Sequence, residues 1–108
     1  MKLCGFTAIG AAALVLGLAP APVKAADAEK GKEVFEQCGV CHNADSDEKK
    51  MGPGLKGLFK KAKMVNGKKP TDETVKEIIN VGGNGMPGYE DLLTDEERND
   101  LIEYLKTL

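Results

Sequence analysis

The 108-residue chain has no tryptophan, one histidine (His42) and one arginine (Arg98), and these scarcities narrow its chemistry. A single imidazole cannot supply a two-histidine metal site or a histidine relay within one chain. Cysteine is also sparse. Of the three, Cys4 lies near the amino terminus, so no partner for a disulfide framework is left once Cys38 and Cys41 are used together. Residues 26–108 carry no strand pattern of useful length, no internal repeat and no low-complexity tract. Aromatic residues number five, and the lysine-rich stretch Lys49 to Lys69 has only Phe59 interleaved with its charges. No nucleic-acid partner is therefore expected.

What the chain does have is the run Cys38-Gly39-Val40-Cys41-His42. Two thiols three residues apart on a helical turn can reach the two vinyl groups of one porphyrin, and an imidazole directly after them can ligate its iron. Two other readings compete. A dithiol redox couple wants a strand before it and a βαβ context, whereas Asp27 to Gln37 reads as helix. A structural zinc site would draw two sulfurs and an imidazole from the run but needs a fourth donor, which the sequence does not convincingly offer. Covalent haem attachment through Cys38 and Cys41, with His42 as iron ligand, is the expected chemistry.

The amino-terminal segment has the anatomy of a secretory signal peptide. Lys2 gives a positive start, Phe6 to Leu18 is apolar, and Val23-Lys24-Ala25 offers small residues for cleavage. Residues 1–25 are therefore read as a leader, with Cys4 as its passenger, and 26–108 as one small domain. The apolar stretch is short against the roughly 20 residues a membrane span requires, so no membrane insertion is expected after cleavage. A periplasmic location follows, and a covalently held apolar macrocycle would add buried surface to a modest core.

Charge is segregated along the domain. Ala26 to Glu48 holds seven acids and two lysines, Lys49 to Lys69 eight lysines and no acid, and Pro70 onward ten acids against Lys76, Arg98 and Lys106. The basic stretch reads either as a docking patch or as a solvated loop face.

Three helices are expected. Asp27 is a good N-cap for the first, with Gly31, Val34, Phe35 and Cys38 as its inward stripe. Gly31 and Phe35 share a face on which another helix can approach closely. That helix is the last, opened by the capping box Thr94-Asp95-Glu96-Glu97 and carrying Leu101, Ile102, Leu105 and Leu108 at helical spacing. The two ends should cross. Between them Pro70-Thr71-Asp72-Glu73 opens a shorter helix with Val75, Ile78 and Ile79 inward, stopped at Gly82-Gly83. Leu55 to Lys61 reads as a short helical turn.

An iron with one imidazole needs a sixth ligand or an open position. With His42 alone, the donors are Met51, Met64 and Met86. Met86 is the best placed, in the loop Asn84-Gly85-Met86-Pro87-Gly88 where glycines permit close approach and proline stiffens the next residue. The competing reading is a loop methionine packed as core filler.

With these elements in order, the domain resembles a class I c-type cytochrome of the small bacterial monohaem kind. The resemblance rests on the Gly31 and Phe35 helix, the Cys38 to His42 motif, Gly52-Pro53-Gly54-Leu55, Met86-Pro87, and a closing helix with Leu101, Tyr104 and Leu105. It implies an all-α cytochrome c fold: three main helices and a short turn around one haem c, with the terminal helices crossing. It also implies Met86 as distal ligand, the Pro53 carbonyl as acceptor from the His42 imidazole, and Leu55 packed on the porphyrin. The absence of tryptophan departs from members that place one near a haem propionate, leaving Tyr89, Asn66 or lysines as candidates there.

The expected function is that of a soluble one-electron carrier, a monomer and not an enzyme, shuttling electrons between extracytoplasmic redox proteins that dock transiently at the haem edge, with Lys56, Lys60 and Lys61 steering them. The alternative is a haem-based small-molecule sensor or peroxidase-like enzyme with a labile Met86 ligand. Against it, Arg98 is the only arginine and lies in the last helix, and no second histidine is present for acid–base work.

Overall fold

The computed structural model describes residues 25–108. The expected leader, 1–25, lies outside the described residues apart from Ala25. Among them are α1 (Ala28–Phe35), a 3₁₀ turn (Leu58–Lys60), α2 (Asp72–Val81) and α3 (Asp95–Leu105), with no strand and one isolated antiparallel bridge between Gly83 and Met86. None of these helices is long and apolar enough to cross a membrane.

Each α helix begins where a side chain satisfies amide donors that the helix itself leaves unbonded. The Asp27 carboxylate accepts from the amides of Glu29 and Lys30, and the Thr94 hydroxyl accepts from Glu97 while the Glu97 carboxylate accepts from Thr94 N–H. The second is the capping box expected from the sequence. A further one opens α2, where Thr71 and Thr74 exchange the same pair of bonds. Caps of this kind are worth about 1 kcal/mol each. α1 is shorter than its pattern suggested. It stops at Phe35, and the chain continues as tight turns in which Cys38 N–H reaches Phe35 O and His42 N–H reaches Cys38 O.

The terminal helices cross and pack on one another, as expected. A Cβ placed on Gly31 would collide with the backbone carbonyl of Asp100 and lie 2.8 Å from Tyr104 Cβ, so the missing side chain sets how closely α1 and α3 approach. Beside that contact Phe35 and Tyr104 pair with ring centroids 5.3 Å apart, planes tilted by 51°, an arrangement worth about 1 kcal/mol beyond its buried area. The Asp100 carboxylate, only 5% exposed, accepts from Asp27 N–H at 2.7 Å and ties the start of α1 to the same spot.

Leu101, Ile102 and Leu105 of α3 form the centre of the core, and Val75 and Ile79 of α2 close it from the side. Ile78, expected inward, is half-buried and stands outside that cluster. It lies about 100° around α2 from Ile79, on the flank of the buried stripe. Leu58 anchors the 3₁₀ turn to the core, and Leu93 fastens the connection before α3.

Candidate functional site

The attachment run sits on the turns that follow α1, with Cys38, Cys41 and His42 half-buried. A loop from Asn43 to Leu55 returns and pins itself to them. Gly52 N–H donates to Cys41 O at 2.8 Å, Leu55 N–H donates to Asn43 O at 2.8 Å, and the Lys50 ammonium donates to Gly39 O at 3.1 Å. The backbone of Gly52 is in contact with the imidazole: a Cβ there would stand 2.5 Å from His42 Cε1.

This loop fixes the tautomer of the neutral imidazole. His42 Nδ1 lies 2.8 Å from the carbonyl oxygen of Pro53. A carbonyl only accepts, so Nδ1 carries the proton and donates, and in the neutral ring Nε2 is the nitrogen with the lone pair. A hydrogen bond of this kind fixes the ring of a metal-binding histidine and raises its basicity. The backbone thus presents His42 as a ligand with one free nitrogen.

Cys38 lacks the environment of a reactive redox thiol. Burial, and after it the neighbouring Cys41 thiol, push the Cys38 thiol up to about 11, whereas dithiol catalysts depend on a lowered value. Nor is a zinc site assembled, since no group of three or more His, Cys, Asp or Glu able to hold a metal occurs among the described residues. The donor set fits an attached haem instead: two thiols one turn apart and an imidazole with its outer nitrogen free, in a domain where Leu55, Phe59 and Met64, like Cys38, are partly buried against the apolar core.

Met86 belongs to a second unit, fastened to α2. Asn84 and Gly85 both have left-handed backbone (φ 53° and 89°), forming the tight turn that an Asn-Gly pair favours. Gly83 and Met86 close it with two N–H···O bonds of 3.0 Å. Gly82, also at positive φ (70°), lets the chain fold back, since a Cβ there would collide with the Met86 carbonyl. Met86 is half-buried and is not among the side chains packed on the core cluster, whereas Met64 is. Met51 is 81% exposed, its sulfur 4.0 Å from Cys41 Sγ.

Of the residues considered for the propionates, Asn66 spends its side-chain oxygen on the amide of Lys68 at 3.0 Å in an exposed turn. Tyr89 is half-buried, and its hydroxyl is pushed up by burial and then by the nearby Cys38 and Cys41. Lys56, Lys60 and Lys61 are exposed, Lys61 within 4.0 Å of Asp47. Sequence reasoning missed the contact of Gly52 with His42 and the bond from Lys50 to Gly39. The first had a signal, in that glycines crowded around Pro53 marked a close approach, but no neighbour could be assigned.

Comparison with known proteins agrees with this geometry. A family profile described as Cytochrome c matches residues 28–108. The chain is 35% identical to cytochrome c2 of Blastochloris viridis, over 85% of this chain and 86% of that protein. It is 33% identical to cytochrome c 2.1 of Caenorhabditis briggsae, over 80% and 92%. To a cytochrome c-553-like protein of Synechocystis sp. it is 30% identical, over 76% and 70%.

Proposed function

The chain belongs to the cytochrome c family, and on that premise we propose that it is a soluble, monomeric electron shuttle with His42 and Met86 as its iron ligands. Its cofactor is haem c, covalently attached, and its partners are redox proteins, as membership of this family of electron carriers entails. The haem supplies a one-electron Fe(III)/Fe(II) couple. Everything else is the work of the chain.

The observation that carries the reading is the 2.8 Å bond from His42 Nδ1–H to Pro53 O, which leaves Nε2 free. Cys38 and Cys41 would hold the porphyrin through thioether bonds, and Leu55 would pack against it. Met86 offers a thioether, a soft donor that favours Fe(II) and so raises the reduction potential. Its loop is built for close approach, and its side chain is not engaged as core packing. Two strong-field ligands leave no open position, which suits electron transfer over bond making. Arg98, the single arginine, is held by Glu90, Leu93 and Asp95 and is not available as an acid–base group beside the iron.

Docking takes place at the attachment turn. Val40 and Met51, 72% and 81% exposed, flank Cys41 and supply an apolar contact of the kind found at interaction sites. Lys56, Lys60 and Lys61 on the neighbouring turn steer an acidic partner toward it. The expected leader places this work in the periplasm, and the mass of the mature protein checks its cleavage.

Visible spectra of the holoprotein in both oxidation states, with and without carbon monoxide, test the ligand assignment. Sharp low-spin bands, a weak far-red band of methionine-ligated Fe(III) and no carbon monoxide adduct are expected, with the far-red band lost in Met86→Ala. A high-spin spectrum or ready uptake of carbon monoxide would instead make the sensor or peroxidase-like reading the leading one.

A further inference from the structure

Among the described residues Arg98 stands out from the other cations in being mostly buried, with its side chain 12% exposed. One nitrogen, Nη1, donates to two backbone carbonyls, Glu90 O at 2.9 Å and Leu93 O at 2.8 Å. Another, Nη2, lies 3.5 Å from Asp95 Oδ1. The third, Nε, is enclosed without a partner. A guanidinium can serve two carbonyls and a carboxylate at once because its donors are fixed in a planar fork. The two carbonyls belong to the turn that directly follows the Met86 loop.

The rest of that turn leads back to Met86. Tyr89 N–H donates to Ile79 O at 2.8 Å, and both Leu92 and Leu93 donate to Tyr89 O. Glu90 N–H reaches Asn80 O at 3.4 Å. Gly88 crosses so near α2 that a Cβ there would lie 2.5 Å from Asn80 O. The loop therefore leaves α2 at Gly82, turns at Asn84-Gly85 and is pressed back onto the end of the same helix at Gly88 to Glu90. Its hydrogen bonds to α2 are backbone bonds, and Tyr89 and Leu93 add apolar packing on the core. On the side of α3 the hydrogen-bonding strap is Arg98.

We propose that Arg98 is the positioning residue of the methionine loop, holding Met86 in place by clamping the turn 90–93 to α3. This rests on the reading of Met86 as iron ligand. Without the clamp the loop can lift from α2 as a unit more often, because the hydrogen bonds left to tie its return to α2 are those of the Tyr89 and Glu90 amides, and the population of ligand-free iron rises. Hydrogen bonds from a charged donor are the strong ones, so removing them should raise that population roughly ten-fold or more.

The experiment compares holoprotein carrying Arg98→Gln, Arg98→Lys or Ile102→Val with the parent. The last substitution is a control that loosens the core away from the loop. Arg98→Gln should weaken the far-red band, speed uptake of carbon monoxide by the ferrous protein roughly ten-fold or more, and speed hydrogen exchange at the Tyr89 amide, which is bonded to α2, beyond the change at Ile102. Arg98→Lys keeps the charge but not the fork and should fall between. If both Arg98 variants lower the melting temperature as the control does while band, uptake and Tyr89 exchange hold, Arg98 merely supports the fold and the proposal is overturned.

Met86→Ala runs alongside. If the far-red band survives there, the ligand reading has failed, and exchange at the Tyr89 amide alone judges the clamp: faster in Arg98→Gln supports it, unchanged refutes it. Should Arg98→Gln fail to fold, exchange in the parent protein decides. The amides of Tyr89 and Glu90, both bonded to α2, must then open together, and independent opening overturns the proposal.

Discussion

Gly31 and Asp100 meet backbone to backbone where α1 crosses α3, and no side chain fits between them. The obstacle is the Asp100 carbonyl, which belongs to a packed helix and cannot turn aside as a flexible side chain would. Gly31→Ala should therefore push the helices apart and disturb the Phe35–Tyr104 pair and the bond from Asp27 to Asp100. Overpacking at the upper end of its range costs about 3 kcal/mol and better helix propensity returns about 1, so a net loss of about 2 kcal/mol is expected. In a domain of this size that lowers the melting temperature by about 8–16 °C. An unchanged thermal transition would mean that the crossing has slack.

This crossing was legible in the sequence, and the reason is local. Gly31 and Phe35 are four apart, and the Thr94 to Glu97 box marks where α3 starts, so periodicity and capping gave both helices and their shared face. Met86 was legible differently, as a methionine among glycines and a proline. The clamp on its loop was not. Arg98 acts through backbone carbonyls of Glu90 and Leu93, and any residue type offers a carbonyl, so no pattern of side chains announces the partner. The same holds for Pro53 and His42, where the resemblance supplied a bond that spacing could not. The length of α1 was overestimated because the attachment run continues as tight turns with near-helical bonds.

Gly52 should be as intolerant of a side chain as Gly31, with a different readout. A methyl group 2.5 Å from His42 Cε1 would shift the ring and stretch its bond to Pro53. A weaker Nδ1–H···O bond makes the imidazole a poorer donor and favours Fe(III) less. If about 1 kcal/mol of differential stabilisation is lost, the reduction potential of Gly52→Ala rises by about 40 mV. Spectroelectrochemistry measures it, and a potential that stays level or falls rules the argument out.

Acid stability carries a signature of Asp95. Its carboxyl is held below its ordinary 3.8 by the hydrogen bond and charge of Lys76, at 2.6 Å, with Arg98 adding to the effect. A carboxyl with a lowered value in the folded state contributes stability above its unfolded value, and the contribution fades as pH falls through the folded one. The window thus begins near pH 4 and extends below it. Asp95→Asn should melt lower than the parent at pH 7, and the gap should close as pH is taken from 4 down to 2. Because Asp95 is exposed, the gap shrinks with added salt as well. A gap that stays constant across this range would show that Lys76 and Arg98 do not couple to the charge of Asp95.

The lysine patch makes a prediction about rates. Lys56, Lys60 and Lys61 cluster around a 3₁₀ turn that Leu58 anchors in the core, so their ammonium groups project from a fixed base. Lys61 is partly occupied by Asp47 at 4.0 Å, but both side chains are exposed and such pairs are weak. The patch stays available for long-range steering, whose reach is set by a Debye length of about 10 Å at 0.1 M salt. With a negatively charged redox protein, stopped-flow electron transfer by the parent should slow by roughly ten-fold between low and physiological salt, as steered encounters do. Replacing all three lysines with Glu should bring the low-salt rate down by at least as much and flatten or invert its salt dependence. The equilibrium spectrum and melting temperature should hold, since none of the three is buried. If the charge-reversed protein reacts as fast as the parent with the same salt slope, the lysines are a solvated face, and docking is governed by the apolar rim of Val40 and Met51 alone.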